Sequence, residues 1–497
     1  GDGSNLTGAG STAFIRQTVT ASSSGTINLN NGNIVYLVHD ANVTISFSNV
    51  PTATNVTIIR TLTGNTITWP AAVTWSGSGS SAPTLIQNSY SKAGQVFKLV
   101  TYDGGTTWYG NEEVNNNNPQ PYTMFVAGYN NEGQLGQNNR TNRSSPIQIP
   151  GTTWVAASNQ LGPVEMMHMV QKKSDGTLWS WGDNTYGSLG QNDRTRYSSP
   201  TQIGSDTTWA IGSSNEQQLW TKTDGTLWTW GRNRYGTLGH NTQGPSNNSL
   251  SSPVQVGSDT TWPTSNATGM KITTSKQYNG SAAIKTDGSL WVWGANGQGQ
   301  LGQGGIVYNS SPVQIPGTSW KSISFGWSSM FGIKTNGEMW AWGMNYGGQL
   351  GQNSRTLYSS PRQVGSDTTW ASVTSGKRGN TFATKTDGTL WSWGYNEFGQ
   401  IAAAGIAHDS RRSSPVQIPG TTWNTGVFGG GGGTTGTCSW TKTDGTLWIW
   451  GANTNGSFGT NQAPAAVSYF SSPVQVPGTE WSVVTGVGAH SVWLRAV

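Results

Sequence analysis

Apolar and polar positions follow one rule up to about residue 113 and another after it. In the first stretch, Ile27/Leu29, Ile34/Tyr36/Val38, Val43/Ile45/Phe47, Val56/Ile58, Ile67/Trp69 and Phe97/Leu99 set apolar side chains two residues apart. Alternation of this kind, rich in β-branched residues, predicts half-buried strands, because successive side chains on a strand point to opposite faces. Asn31–Gly32, Asp103–Gly104 and the Ser/Gly stretch 76–81 supply turns. Several short strands at this spacing predict an all-β, sandwich or jelly-roll-like module over residues 11–113, preceded by a flexible lead-in at 1–10. No helical period competes.

Residues 114–121, with Asn115–Asn118 followed by Pro119–Gln120–Pro121, read as a polar linker stiffened by proline. Everything after it restates one phrase, an Asp-Gly turn followed by Trp-x-Trp-Gly. The tryptophan pairs are Trp179/Trp181, Trp228/Trp230, Trp291/Trp293, Trp340/Trp342, Trp391/Trp393 and Trp448/Trp450, and Phe125–Val126–Ala127–Gly128 is a weaker first copy. Ser-Ser-Pro and then a lone Trp follow each copy, from Pro146 and Trp154 to Pro473 and Trp481. Gly182 to Gly231 is 49 residues and Gly231 to Gly294 is 63, a period that points to propeller blades or a solenoid.

Asp-Gly favours hairpin turns because glycine accepts positive φ at little cost. Ala282–Lys285, a turn and Leu290–Trp293 therefore predict a hairpin whose two Trp share a face. An indole hides about 150–250 Å² when buried, so each pair is expected to wedge neighbouring blades apart at a fixed spacing. The first copy lacks a hairpin before Phe125, and Ser491–Val497 resembles the strand that precedes the hairpin elsewhere. The expectation is a seven-bladed β-propeller over 122–497, closed by its C-terminal strand, since a closed ring hides its edges.

Composition suits this reading. Of 497 residues only 10% are charged, while Gly (69) and Trp (26) are abundant. The net charge of +5 is spread thinly, with no basic face or tail of the kind nucleic-acid binders show. Cys438 stands alone, so no intrachain disulfide forms. No apolar run approaches the roughly 18 residues of a membrane span. The Gly1–Asp2–Gly3–Ser4 start is read as processed or truncated.

Gly-x-Asn-x-x-Gly-Gln-Leu-Gly phrases, as at 128–136 and 343–351, followed by Ser-Ser-Pro, resemble the repeat of the regulator-of-chromosome-condensation family. The resemblance implies a seven-bladed propeller and says little about activity. Gly1–Gly8 and Tyr102–Gly110 resemble β-modules of bacteriophage tail-fibre and other virion proteins. That likeness implies contacts to other virion proteins through the N-terminal module, a homotrimer, and residence on the particle.

Chemistry is sparse. Gly297, Gly299 and Gly302 spell a Gly-x-Gly-x-x-Gly, but a dinucleotide site needs it to open a helix, and here it falls inside the repeat phrase. The histidines (His39, His168, His240, His408, His490) share no ligand spacing, so neither metal nor cofactor is expected. Cys438 reads as a small buried side chain. Glycan cleavage needs two carboxylates flanking the bond. Of 22 acids, eight fall in turns (Asp175, Asp224, Asp287, Asp387, Asp444, Asp206, Asp259, Asp367), the others are scattered, and no enzyme is expected. Gly326–Trp327–Ser328–Ser329–Met330 is similar to the stacked-Trp phrase of plant ultraviolet receptors but lacks its neighbouring Arg.

Arginine recurs just before Ser-Ser-Pro, at Arg140/Arg143, Arg194/Arg196, Arg355 and Arg411/Arg412. Repetition at a fixed place favours a structural role, each Arg reaching a neighbouring blade's carbonyls, over a ring for acidic ligands. What varies between copies are the positions flanking the Asn after Trp-Gly, as in Tyr129/Asn131, Asp183/Thr185, Arg232/Arg234, Met344/Tyr346 and Tyr395/Glu397, and the long loops 241–250, 402–412 and 460–470. Binding surfaces are built on such loops. Arg232, Arg234, Tyr235, Tyr395, Phe398, Tyr469 and Phe470 are the candidate ligand contacts, with host-surface glycan or protein as the ligand. The functional expectation is a non-catalytic virion fibre, appendage or decoration protein. The alternatives are an intracellular propeller acting as exchange-factor-like scaffold or chromatin partner, and a secreted bacterial adhesin.

Overall fold

Each Asp-Gly turn is closed by its own aspartate. Asp175, Asp224, Asp287, Asp387 and Asp444 accept the backbone N–H two residues on at 2.9–3.0 Å, and Asn336 does the same at 3.1 Å. In the computed structural model these turns join the two strands that precede the outer strand of repeated antiparallel sheets. The chain divides into two units, residues 1–118 and 119–497. The structure describes residues 16–21, 24–29, 34–39, 43–50, 54–61, 67–68, 73–75, 96–101 and 108–113 of the first. Of the second it describes 122–151, 153–155, 168–242, 248–266, 269–275, 280–376, 379–402, 410–424, 436–452, 469–477, 481–487 and 490–496.

The first unit departs from the sandwich or jelly roll expected of it. Arg16–Ala21, Ile34–His39 and Thr54–Thr61 pair in parallel, and Ser24–Asn28, Val43–Ser48 and Ile67–Thr68 form a second parallel stack. Val96–Thr101 and Trp108–Glu113 then add antiparallel pairs to the first stack. A jelly roll pairs its strands antiparallel throughout. Period-two alternation is identical for both directions of pairing, so it could not separate the two arrangements. Between the stacked strands Ile27 and Ile45 are buried, the Thr26 and Ser46 hydroxyls meet at 3.1 Å, and Asn49 Nδ2 donates to Asn28 Oδ1 at 2.9 Å. The lead-in 1–10, the linker 114–121 and most of the residues carrying the virion likeness lie outside the described residues.

The second unit is a β-propeller. Six blades are built from consecutive strands. Trp209–Ser214, Gln217–Lys222, Leu227–Gly231 and Leu250–Gln255 form one of them in that order, from a fully buried inner strand to a half-buried outer one. Successive inner strands touch, as where the Ser213 and Thr274 hydroxyls meet at 3.1 Å. The outer strands carry Ser-Ser-Pro, and proline blunts a sheet edge because it has no N–H to offer another chain. The remaining copy of the phrase lies in a discontinuous sheet. Tyr122–Gly128 there pairs with Arg143–Gln148 on one side and with His490–Ala496 on the other, from Tyr122 opposite Ala496 to Gly128 opposite His490.

The two tryptophans of each phrase have different duties, which corrects the expectation that the pair together wedges neighbouring blades. The second is fully buried and crosses to the preceding blade. Trp181, Trp230, Trp293, Trp342, Trp393 and Trp450 donate Nε1–H to the carbonyls of Gln134, Ser188, Thr237, Gln300, Gln349 and Gln400 at 2.7–3.1 Å. At Gly190, of the preceding blade's Leu-Gly, a Cβ would stand 2.8 Å from the Trp230 indole nitrogen, so a side chain there would push the pin out. The first is half-buried and stays in its own blade. Trp179, Trp228, Trp291, Trp391 and Trp448 donate to the Thr or Ser hydroxyl two residues back at 2.8–2.9 Å, and Trp340 donates to Glu338.

A lysine completes this end of each blade. Nζ of Lys173, Lys222, Lys285, Lys334, Lys385 and Lys442 lies 3.6–4.2 Å from the centre of the first Trp ring and 4.9–5.7 Å from the inner-strand Trp. Such cation–π contacts are worth about 0.5–2 kcal/mol each. Lys222 and Lys385 also bond Asp206 and Asp367 at 2.5 and 2.6 Å, and Lys285 bonds Asp259. Partial burial pushes the Asp259 and Asp367 carboxyls up, but the bonds from lysine and from Thr261 or Thr369 outweigh it and hold both at about 2.

Candidate binding face at the loop end of the propeller

At the opposite end, each third strand runs into a loop before the outer strand, and a buried asparagine folds that loop. Oδ1 of Asn130, Asn184, Asn233, Asn296, Asn345 and Asn396 accepts the N–H of Leu135, Leu189, Leu238, Leu301, Leu350 and Ile401 at 2.8–3.0 Å. Nδ2 of the same residues reaches the far side, for example from Asn184 to Asp193 O and from Asn345 to Ser354 O, both at 3.0 Å. The loop backbone is thereby fixed while the side chains beside the asparagine are free to differ. Gly297–Gly302 lies in one of these loops, with no helix after it.

The varying side chains meet at the junctions between blades. Arg196 bridges Glu132 of the preceding loop (2.7 Å) and Asp183 (2.9 Å). Arg232 lies 4.4 Å from the centre of the Tyr186 ring and bonds Glu216 at 2.5 Å. Tyr235 packs edge-on against Tyr308 of the next loop with centroids 5.0 Å apart, and Arg234 lies 4.9 Å from the Tyr235 ring. Tyr346 O–H and Gln298 Oε1 are 3.2 Å apart. Tyr395 rests on Gly347, where any side chain would collide with its ring, and has Trp327 at 6.4 Å and Arg411 at 4.4 Å. Phe398 approaches Gly436 of the following blade.

Arg232, Arg234, Tyr235, Tyr395 and Phe398 are thus all placed at this end. Tyr469 and Phe470 open an outer strand instead, where Tyr469 is exposed and Phe470 packs on Leu447, Trp448 and Trp450 as part of the core. Loop segments 243–247, 403–409 and 453–468 lie outside the described residues. Two of the recurring arginines make contacts other than the backbone carbonyls expected of the set: Arg196 meets carboxylates and Arg411 an aromatic ring. Sequence reasoning missed Tyr186, Glu216, Ile306, Val307 and Tyr308. Tyr308 stands close before Ser-Ser-Pro, as Tyr197 and Tyr358 do, and that spacing was its one visible signal.

Two buried groups near this face have settled roles. His168 donates to Asn215 O at 3.0 Å, and burial pushes its imidazole down to about 4 against the raising effects of Asp183 and that carbonyl. Cys438 is buried beside Asn380. Among the described residues no helix is long and apolar enough to cross a membrane.

The model of the regulator of chromosome condensation (RCC1) repeat matches residues 175–219, 224–273, 287–333 and 336–382, and a second model of the repeat matches 320–349. The chain carries RCC1 repeats. The matched segments run from each Asp-Gly hairpin through the loop end into the next blade's inner strands, so the repeat spans the Trp pin and the junction together. Among curated proteins, the ultraviolet-B receptor UVR8 of Arabidopsis thaliana is 26% identical over 142 residues, 28% of this chain and 32% of that one. The match therefore spans about a third of that relative's length. Among solved structures, Prp20p of Saccharomyces cerevisiae aligns at a TM-score of 0.62 and 17% identity, over 76% of this chain and 92% of that one. Human WBSCR16 aligns at the same score and identity, over 76% and 100%. At such identity these structures establish the propeller fold of the RCC1 repeats.

Proposed function

We propose that this chain is a non-catalytic binding protein whose RCC1-repeat propeller holds a protein partner at its loop end. The observation that carries this reading is the asymmetry of the blades: one end repeats the same Lys–Trp–Asp chemistry, and the other differs at every junction described above. Loops on a rigid scaffold are where recognition evolves most freely. The discontinuous sheet joining Tyr122–Gly128 to His490–Ala496 acts as a seventh blade and closes the ring. The repeats favour the scaffold reading of exchange-factor or chromatin-partner type. Prp20p, which shares the fold, is described for its binding to Gsp1p and histones, and its complex with Kap60 is known. Titration of the full chain with histones and with Gsp1p tests the type, and binding of neither would remove it.

A second reading rests on the first unit. Parallel stacks of strands, with Thr26 against Ser46 and Asn28 against Asn49, are extended naturally by further strands along the stacking direction, as a fibre requires. This suits a virion appendage that assembles as a homotrimer through residues 11–113 and presents the propeller to a host surface. Imaging purified particles with an antibody to the propeller tests it, and unlabelled particles would remove it.

A further inference from the structure

We propose that the sector of the loop end from Tyr235 to Tyr395 binds an extended polypeptide segment with one or two apolar side chains flanked by aspartate or glutamate. This deepens the protein-binding reading above and rests on it. Ile306 and Val307 are 62% and 75% exposed, beside Tyr308 at 38%, and Tyr346 is 55% exposed. Ile306, Val307 and Tyr308 are consecutive, Tyr308 packs on Tyr235, and Tyr346 reaches Gln298 in the loop that carries them. Contiguous exposed apolar groups, unlike scattered ones, mark contact sites. Asn296 holds this loop from within, donating to Gly305 O at 3.1 Å and Val307 O at 3.0 Å. The apolar pair is therefore presented on a fixed backbone, which lowers the ordering cost of binding.

Charge sets the polarity of the partner. The described loop residues 232–242, 295–308, 344–357, 395–402 and 410–412 hold five arginines (Arg232, Arg234, Arg355, Arg411, Arg412) against one acid, Glu397. Among the described residues Arg232 alone of these five is bonded to a carboxylate. Loops 129–142 and 183–196 differ, for there Arg196 joins Glu132 and Asp183. An excess of arginine among the described loop residues, set around an apolar centre, attracts acidic flanks, an arrangement common in protein contacts. A saccharide fits less well, since Arg234 and Arg411 already cover the Tyr235 and Tyr395 rings and a β-branched aliphatic pair offers it no hydrogen bond.

The test is to pan a random twelve-residue peptide display library on the full chain. Selected peptides should carry an apolar pair with acidic flanks. They should bind at least tenfold more weakly to Ile306→Asp/Val307→Asp and to Arg234→Ala/Arg411→Ala, and equally well to Arg196→Ala. Thermal unfolding of each variant checks folding, and the arginine pair serves if the aspartate pair does not fold. Peptides without acidic bias, or unchanged affinity in both variants, would overturn this sector while leaving protein binding intact. Capture of an oligosaccharide from a glycan array with no peptide selected would overturn both. A dimer that the aspartate pair dissociates would assign the patch to a second copy of the chain and overturn the proposal.

Discussion

The two ends of a blade follow opposite rules. At the hairpin end the same lysine, the same two indoles and the same aspartate turn recur in Lys222, Lys285 and Lys385 and their neighbours, with distances that differ by tenths of an ångström. At the loop end the junctions are an ion-pair bridge at Arg196, a cation over a ring at Arg232, edge-on tyrosines at Tyr235 and a ring on a bare backbone at Tyr395. What is copied holds the ring together, and what varies is available for recognition. The buried asparagine makes this separation workable, because it fixes the loop without using the neighbouring side chains.

The comparison breaks most sharply at the Trp pin. Trp393→Ala removes a fully buried indole and its bond to Gln349 O, and is expected to cost about 3–5 kcal/mol. Trp391→Ala should cost less, since that ring is half-buried and bonds within its blade. Denaturant unfolding of the two variants measures the difference. Equal losses would mean the inter-blade bond carries no special weight.

His168 tests the same frame through pH. Its folded value of about 4 lies below the ordinary 6.5, so below pH 6.5 the unfolded chain takes up a proton that the folded chain refuses. Its contribution is complete above pH 6.5 and is lost as pH falls toward 4. Gln217 occupies the same register one blade on, opposite Gly231 as His168 is opposite Gly182. His168→Gln is therefore expected to fold and to flatten the stability slope between pH 6.5 and 4, leaving the share that half-buried His240 contributes, read from melting temperatures across that range.

The sequence announced the hairpins, the repeat and the pairing of the last strand with Tyr122–Gly128, because Asp-Gly, Trp-x-Trp-Gly and the split first copy are all local patterns. It hid the division of labour within Trp-x-Trp, since both rings share a face by period two and only the registry between blades separates them. The lysines stood in view two residues before each Asp/Asn-Gly, yet a charged residue beside a turn reads as solvated until the two rings beneath it are placed. The junctions were partly legible. Arg232, Tyr235 and Tyr395 were marked by their variation, but their contacts across blades lie far off in sequence, 46 residues from Arg232 to Tyr186 and 73 from Tyr235 to Tyr308. Phe470 misled because an aromatic beside a varying loop looks the same whether it faces solvent, as Tyr469 does, or the core.

The lysine contacts sharpen the hairpin end. Lys385→Met loses the rings and strands Asp367, whereas Lys442→Met loses only the rings, with no acid bonded to it among the described residues. The first should cost about 1–2 kcal/mol and the second about half that. Acid supports the same distinction: Asp367 is held at about 2, so its share is present above the usual carboxylate range and lost as pH falls from about 4 to 2. The gap between the two variants should close over that interval.

The smallest effects belong to the loop end. Tyr346→Ala removes a ring that is 55% exposed, and Arg196→Ala removes two exposed ion pairs, so each should change stability by no more than about 0.5–1 kcal/mol. Arg196 stitches adjacent loops, and its variant should lose what little it loses as salt is raised in the parent, because screening already weakens such pairs. Tyr346 has no counter-charge, and its variant should show no such salt dependence. If either substitution cost as much as Trp393→Ala, the loop end would be part of the framework, and the variation between copies would need another cause than recognition.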